Sequence, residues 1–260
     1  MTESNPLRLY FSVARRHPSL VFYTLRHPSL RQVSEQAYRL VLGEPIMRKM
    51  KAMSIQKAST FSFNGKEYNY FYHDYNDTWC NERSVEVPII KRTVDEAEGE
   101  VLEVGNVLPH YFPSNHVIVD KYEKGLGVTN QDIVGFNSNS KFGLIVSIST
   151  FEHIGWDERP RNPSKIREAI RSVRMLLEKG GEAWLTMPYG QNEWLDKSMV
   201  SGDLDLDETY YMKRTGLDNS WTQCTLDDVL LKRQVSPVEW KPSMEAYPYS
   251  NAIIIAGILK

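Results

Sequence analysis

Gly105 and Asp120 stand fifteen residues apart, each at the end of a short apolar run, and this spacing is the first pointer to chemistry. Gly105 closes Val101-Leu102-Glu103-Val104, and Asp120 closes Val117-Ile118-Val119. If both runs are strands of an open α/β sheet, their ends lie where such sheets bind ligands. A glycine there lets a ligand approach the backbone closely, and a carboxylate there can accept hydrogen bonds from two ligand hydroxyls. The competing readings are an ordinary turn glycine and a solvated strand-end acid. Farther on, Ser149-Thr150-Phe151-Glu152-His153-Ile154-Gly155-Trp156-Asp157 follows another apolar run. Histidine is the side chain best matched to general-base work near neutral pH, which makes His153 the first candidate, with His110 and Asp157 next. The alternative for His153 is a ring packed beneath a bound ligand.

Several chemistries find no support. No G-x-G-x-x-G run presents amides to a pyrophosphate, and no G-x-x-x-x-G-K-[ST] is present. Asp203, Asp205 and Asp207 alternate, but the glycine and terminal glutamate of a calcium loop do not follow. His17, His27, His73 and His110 lack metal-ligand spacing, so no metal site is expected. Cys80 and Cys224 are far apart and outside any CxxC pair, which predicts reduced, buried thiols in a cytoplasmic protein. A formal net charge of -2 offers nucleic acid no general attraction. The average hides a basic start: residues 1–60 carry ten Lys/Arg against three Asp/Glu. That stretch could lie on an anionic membrane surface, fold over the active site as a lid, or pack on the domain. Arg15, Arg16 and Arg26 interrupt the early apolar stretches, so no signal peptide is expected. The longest apolar run, Ala252 to Leu259, falls far short of the roughly 20 residues of a membrane helix.

The elements that position these residues follow from periodicity. Residues 1–60 read as a basic helical extension. Arg16-His17-Pro18-Ser19-Leu20 returns as Arg26-His27-Pro28-Ser29-Leu30, two helix starts, and the second helix stops at Gly43 and Pro45. Residues 61–98 read as a β-hairpin and connecting cap segment. Aromatic residues alternate around Asn64-Gly65, the preferred type I′ pair, and Trp79 to Pro88 forms a short helix or turn before a polar junction at Asp95 to Gly99. From residue 99 short strands recur at 101–104, 117–119, 144–148, 183–186 and 252–259, suited to a parallel sheet covered on both faces. The best helix spans 163–178, with Asn162 as cap and Gly180-Gly181 as its stop. Only residues 105–115 separate the first two strands, and Pro109 and Pro113 fall among them, so a full first helix hardly fits.

Four segments in order resemble the signature regions of class I S-adenosylmethionine-dependent methyltransferases: 101–105, 117–120, 144–153 and 177–188. The resemblance covers residues 99–260. It implies an α/β, Rossmann-like methyltransferase fold with a seven-stranded, mostly parallel sheet and an antiparallel last strand, the N-terminal helices and hairpin capping the substrate side. It implies S-adenosyl-L-methionine as cofactor, with Gly105 beside it and Asp120 on the ribose hydroxyls. Asp132 would meet the adenine amino group, or is a loop acid. Glu103 would orient the glycine loop or receive the cofactor ammonium through water, or is a partly buried acid satisfied by backbone amides. Ser149 joins this cofactor-binding set. The usual family loop has two or three glycines, whereas Gly105 is followed by Asn106-Val107-Leu108-Pro109-His110. The cofactor carboxylate is therefore expected to be held from elsewhere, by Arg83, whose alternative is a salt bridge to Glu82 or Glu86. The segment after the fourth strand lacks the Asp/Asn-Pro-Pro-aromatic signature of base-amino methylation, and Glu152-His153 resembles small-molecule O- and C-methylating members. The expectation is methyl transfer to a small-molecule or glycan hydroxyl, as in polysaccharide biosynthesis. The alternatives are an RNA-modifying enzyme and a non-catalytic interaction module.

Overall fold

The computed structural model describes residues 44–56, 60–230, 234–235 and 247–260. The basic stretch 1–43, with its paired Arg-His-Pro-Ser-Leu copies, lies outside the described residues. Helix α1 (Glu44–Gln56) begins where a helix stop was expected. Pro45 falls in its first turn, where a missing amide hydrogen is harmless.

The hairpin is as the sequence predicts: β1 (Thr60–Phe63) pairs antiparallel with β2 (Lys66–Asn69). Asn64 and Gly65 both take positive φ, +48° and +72°, as a type I′ turn requires. An alanine at Asn64 must adopt that left-handed backbone without the local polar bonding that eases it for asparagine. Asn64→Ala is therefore expected to cost about 1 kcal/mol, read as a lower denaturation midpoint at unchanged slope.

The segment read as a short helix or turn is instead a full helix, α2 (Arg83–Glu96), preceded by a 3-10 turn over Tyr75–Cys80. It absorbs Asp95 and Glu96 from the expected junction. Pro88 sits inside α2 and cannot donate to the Ser84 carbonyl. That carbonyl accepts the Phe71 amide at 3.0 Å instead, so the proline ties the hairpin's exit to the helix.

The main sheet runs β5-β4-β3-β6-β7-β10-β8-β9, with β3 (Val101–Val104), β4 (Val117–Val119), β5 (Val128–Thr129), β6 (Phe142–Ile148) and β7 (Leu177–Pro188) mutually parallel. β10 (Ala252–Leu259) inserts antiparallel between β7 and β8 (Glu208–Arg214). Five of these strands lie where the sequence predicts, and β5 and β8, which it did not locate, bring the number to the expected seven. An eighth, β9 (Trp221–Cys224), pairs antiparallel on the outer side of β8. This is the Rossmann-like methyltransferase fold, and the strand order itself establishes it. Between β3 and β4 there is only a 3-10 turn, Leu108–His110, as the short connection predicts. Gly180-Gly181 does not stop a helix: α3 (Lys165–Leu176) ends earlier, and both glycines lie inside β7. There the register against β6 breaks, and a Cβ on Gly181 would stand 2.9 Å from the Phe142 carbonyl oxygen.

Both faces are covered. Ile166, Ala169, Ile170, Val173 and Leu176 of α3 pack with Leu102, Ile145, Ala183 and Ile254. On the opposite face, Val87 and Ile90 of α2 meet Leu144, Val146 and Ile148. Phe61 and Phe63 pack there too, against Met212, Trp221, Ile253 and Ile255. The hairpin therefore covers a face of the sheet rather than the substrate end, because its aromatic side needs apolar surface to bury. Cys80 is buried and Cys224 half-buried, and neither is in a disulfide. Among the described residues no helix is long and apolar enough to cross a membrane.

Candidate functional site

Strand order reverses at β3: the chain steps outward through β4 and β5, then returns to place β6 on β3's other side. At the carboxyl ends of these strands lies a cavity of about 320 Å³, in the crevice where such folds bind ligands. Gly105, Asp120, Asp132, Ser149, His153 and Asp157 all line it. Arg83, Glu103 and His110 stand outside its wall.

Gly105 is required for a reason beyond ligand approach. Its φ is +92°, and a Cβ would meet Thr150 Oγ1 at 2.2 Å. Its amide donates to the Val119 carbonyl at 2.9 Å, joining the ends of β3 and β4. Asp120 then organises the loops around it. Its Oδ2 accepts the Asn106 amide at 3.1 Å, and its Oδ1 accepts the Tyr122 and Glu123 amides at 2.8 and 2.7 Å. Three of about four acceptor directions are filled, which leaves the carboxylate oriented and able to take a further donor.

Glu103 is fully buried, and its contacts are those of the rival reading, an acid satisfied by backbone amides. Oε1 accepts the Val107 and Leu108 amides at 2.9 and 2.8 Å, and Oε2 lies 2.6 Å from His116 Nε2. Asp132 is heavily engaged. Lys165 and Lys121 reach its Oδ2 at 2.5 and 2.9 Å, both also bind Glu158, and the Val134 amide holds Oδ1. Burial pulls the Asp132 carboxyl upward, but hydrogen bonds from the two lysines and that amide outweigh it and hold it below the usual carboxylate range.

His153 sits on the 3-10 turn Phe151–His153, its Nδ1 2.7 Å from Asp157 Oδ2 and its Nε2 3.5 Å from Glu152 Oε1. It is 40 % exposed, so it faces the cleft rather than packing out of reach. His110 is turned away, bonded to Glu123 at 3.0 Å and stacked on Tyr75. Arg83 Nη1 donates to the Ile148 carbonyl at 3.3 Å, and its Nε lies 3.8 Å from Glu86 Oε2, so the alternative reading, an ion pair with Glu86, is the one the geometry shows.

Sequence reasoning passed over the lysines of the Asp132 network and the burial of Glu86 and Glu152. Glu86 carried a signal, an acid inside the apolar run Val85-Glu86-Val87.

No protein-family model and no curated protein matches the chain. Solved structures are similar to part of it. The N-methyltransferase NodS from Bradyrhizobium japonicum WM9, in complex with S-adenosyl-L-homocysteine, is 14% identical, with 69% of this chain and 87% of that one covered and a TM-score of 0.40. An S-adenosylmethionine-dependent methyltransferase from Clostridium acetobutylicum ATCC 824 is 16% identical, covering 66% and 89%, with a TM-score of 0.35. The glycopeptide N-methyltransferase MtfA, complexed with S-adenosylmethionine, is 12% identical, covering 70% and 97%, with a TM-score of 0.32.

Proposed function

We infer that this chain is an enzyme, an S-adenosylmethionine-dependent methyltransferase acting on a hydroxyl of a small-molecule or glycan acceptor. One observation carries the reading: Gly105 and Asp120 converge on a single cavity at the point where strand order reverses, with no phosphate-binding amide cradle beside them. Asp120 would take a ribose hydroxyl on its remaining acceptor direction, and the Gly105 loop would lie along the amino-acid end of the cofactor. The bound cofactor supplies an electrophilic methyl on a sulfonium, and the protein's work is to align the acceptor with it. His153, oriented by Asp157, stands at the cavity edge as a route for the acceptor's proton. The cofactor carboxylate needs a donor other than Arg83 in its present pairing, and the Asn106 side chain is a candidate on the cleft wall. The basic start of the chain is proposed to serve acceptor or surface engagement.

The test is calorimetry with S-adenosylmethionine, S-adenosylhomocysteine and NAD. Both sulfur nucleosides are expected to bind and NAD is not, since the loop offers a pyrophosphate no G-x-G-x-x-G nest. Binding of NAD alone would sink the reading.

A further inference from the structure

The connection between β3 and β4 is tied down at both of its ends by one side chain. Glu103 belongs to β3, and its Oε1 takes the Val107 and Leu108 amides just past the strand. Its Oε2 takes Nε2 of His116, the last residue before β4, at 2.6 Å. A carboxylate only accepts, so Nε2 carries the proton and donates. The imidazole is itself 7 % exposed, and among the described residues it is the one basic side chain within ion-pair reach of Glu103.

Inside that clip the backbone is closed to a ligand. From Gly105 to Phe112 every amide donates within the protein. Gly105 gives to Val119, Asn106 to Asp120, Val107 and Leu108 to Glu103, His110 to Val107, and Tyr111 and Phe112 to Leu108. Pro109 has no amide hydrogen to give. Leu108 is fixed a second way, because its side chain is buried against Val87, Ile90 and Ile148. Asn106 and Val107 line the cleft, and the bonds from their amides to Asp120 and Glu103 set where they stand.

We propose that His116 is a positioning residue for the amino-acid end of the cofactor, acting through Glu103 on Asn106 and Val107. This rests on the methyl-transfer reading above, in which the Gly105 loop lies along that end. The physical reason is the cost of an unpaired buried charge. Without the imidazole, Glu103 must bind a proton or turn toward water. Either change weakens or releases the Val107 and Leu108 amides. Leu108 stays held by its buried side chain, so the slack falls on the stretch that lines the cleft. Asp120 keeps its Tyr122 and Glu123 amides in either case, so the ribose end keeps its acceptor. The loss is therefore confined to ligands with an amino-acid tail.

Calorimetry with two ligands tests this: S-adenosylhomocysteine, and 5′-methylthioadenosine, which has the same nucleoside and sulfur but no amino-acid tail. His116→Phe fills the space of the imidazole and donates nothing. It should weaken S-adenosylhomocysteine binding by about tenfold or more, the order expected when a buried charged partner is stranded. Binding of 5′-methylthioadenosine should be nearly unchanged. His116→Gln, which keeps a donor at similar reach, should recover most of the loss. Amide hydrogen exchange at Val107 and Leu108 should quicken in His116→Phe and stay slow in His116→Gln. His116→Ala carries the same expectations should the phenyl ring prevent folding. Unchanged S-adenosylhomocysteine affinity, equal losses for the two ligands, or no recovery with glutamine overturns the proposal. Each of those results leaves wild-type binding intact and the methyl-transfer reading standing. A wild type that binds neither ligand sinks that reading and, with it, this role for His116.

Discussion

Gly105→Ala is expected to lower stability by about 2–4 kcal/mol, combining a strained φ with overpacking, and to weaken S-adenosylhomocysteine binding by about a hundredfold or more. Two costs add at this position. The backbone sits at φ +92°, where side chains are strained, and the new Cβ would stand 2.2 Å from Thr150 Oγ1 and 3.1 Å from Thr150 Cβ and Cγ2. Thr150 cannot simply swing away, because its hydroxyl donates to the Ile148 carbonyl at 3.1 Å. The loop must therefore lift, loosening the amide of Gly105 from Val119 and that of Asn106 from Asp120. Chemical denaturation and calorimetry read the two effects separately. Adding Thr150→Ala should return part of the stability by removing Oγ1 and Cγ2, but not the part due to φ. Full recovery in the double variant would mean that backbone strain contributes nothing, and near-wild-type affinity in Gly105→Ala would detach this loop from the cofactor.

The second large effect is at Asp120. Asp120→Ala should weaken S-adenosylhomocysteine binding roughly ten- to a hundredfold, since losing a charged acceptor costs about 1.5–3 kcal/mol. The upper end is expected, because the substitution also strands the Asn106, Tyr122 and Glu123 amides and so loosens both loops on the cleft. Asp120→Asn keeps one acceptor oxygen and should lie between alanine and wild type. Unchanged affinity in Asp120→Ala would move ribose recognition elsewhere, with Glu123, also on the cleft wall, as the next position to substitute.

Elements whose own residues decide their conformation were legible in the sequence. The Asn64-Gly65 turn, the strand ends at Gly105 and Asp120, the shortness of the connection between β3 and β4, and the antiparallel β10 all follow from local geometry or the family resemblance. Boundaries set by partners were not. Pro88 reads as a helix breaker until Phe71 is seen to satisfy the carbonyl it orphans. Gly180-Gly181 reads as a helix stop until Lys260, just past the end of β10, is seen to exchange hydrogen bonds with the pair.

That Gly105 and Asp120 close neighbouring strands was legible in the residues themselves, because strand ends and a turn glycine are local properties set within a few residues. Only the tertiary structure decided what surrounds them. Arg83, expected on the cofactor, is spent on Glu86 and the Ile148 carbonyl, and Asp132 is claimed by lysines 11 and 33 residues away in the chain. Glu86, an acid inside an apolar run, is fully buried only because α2 packs on the face of β6. Charge pairing and burial depend on which side chains share a dry volume, and no spacing along the chain encodes that.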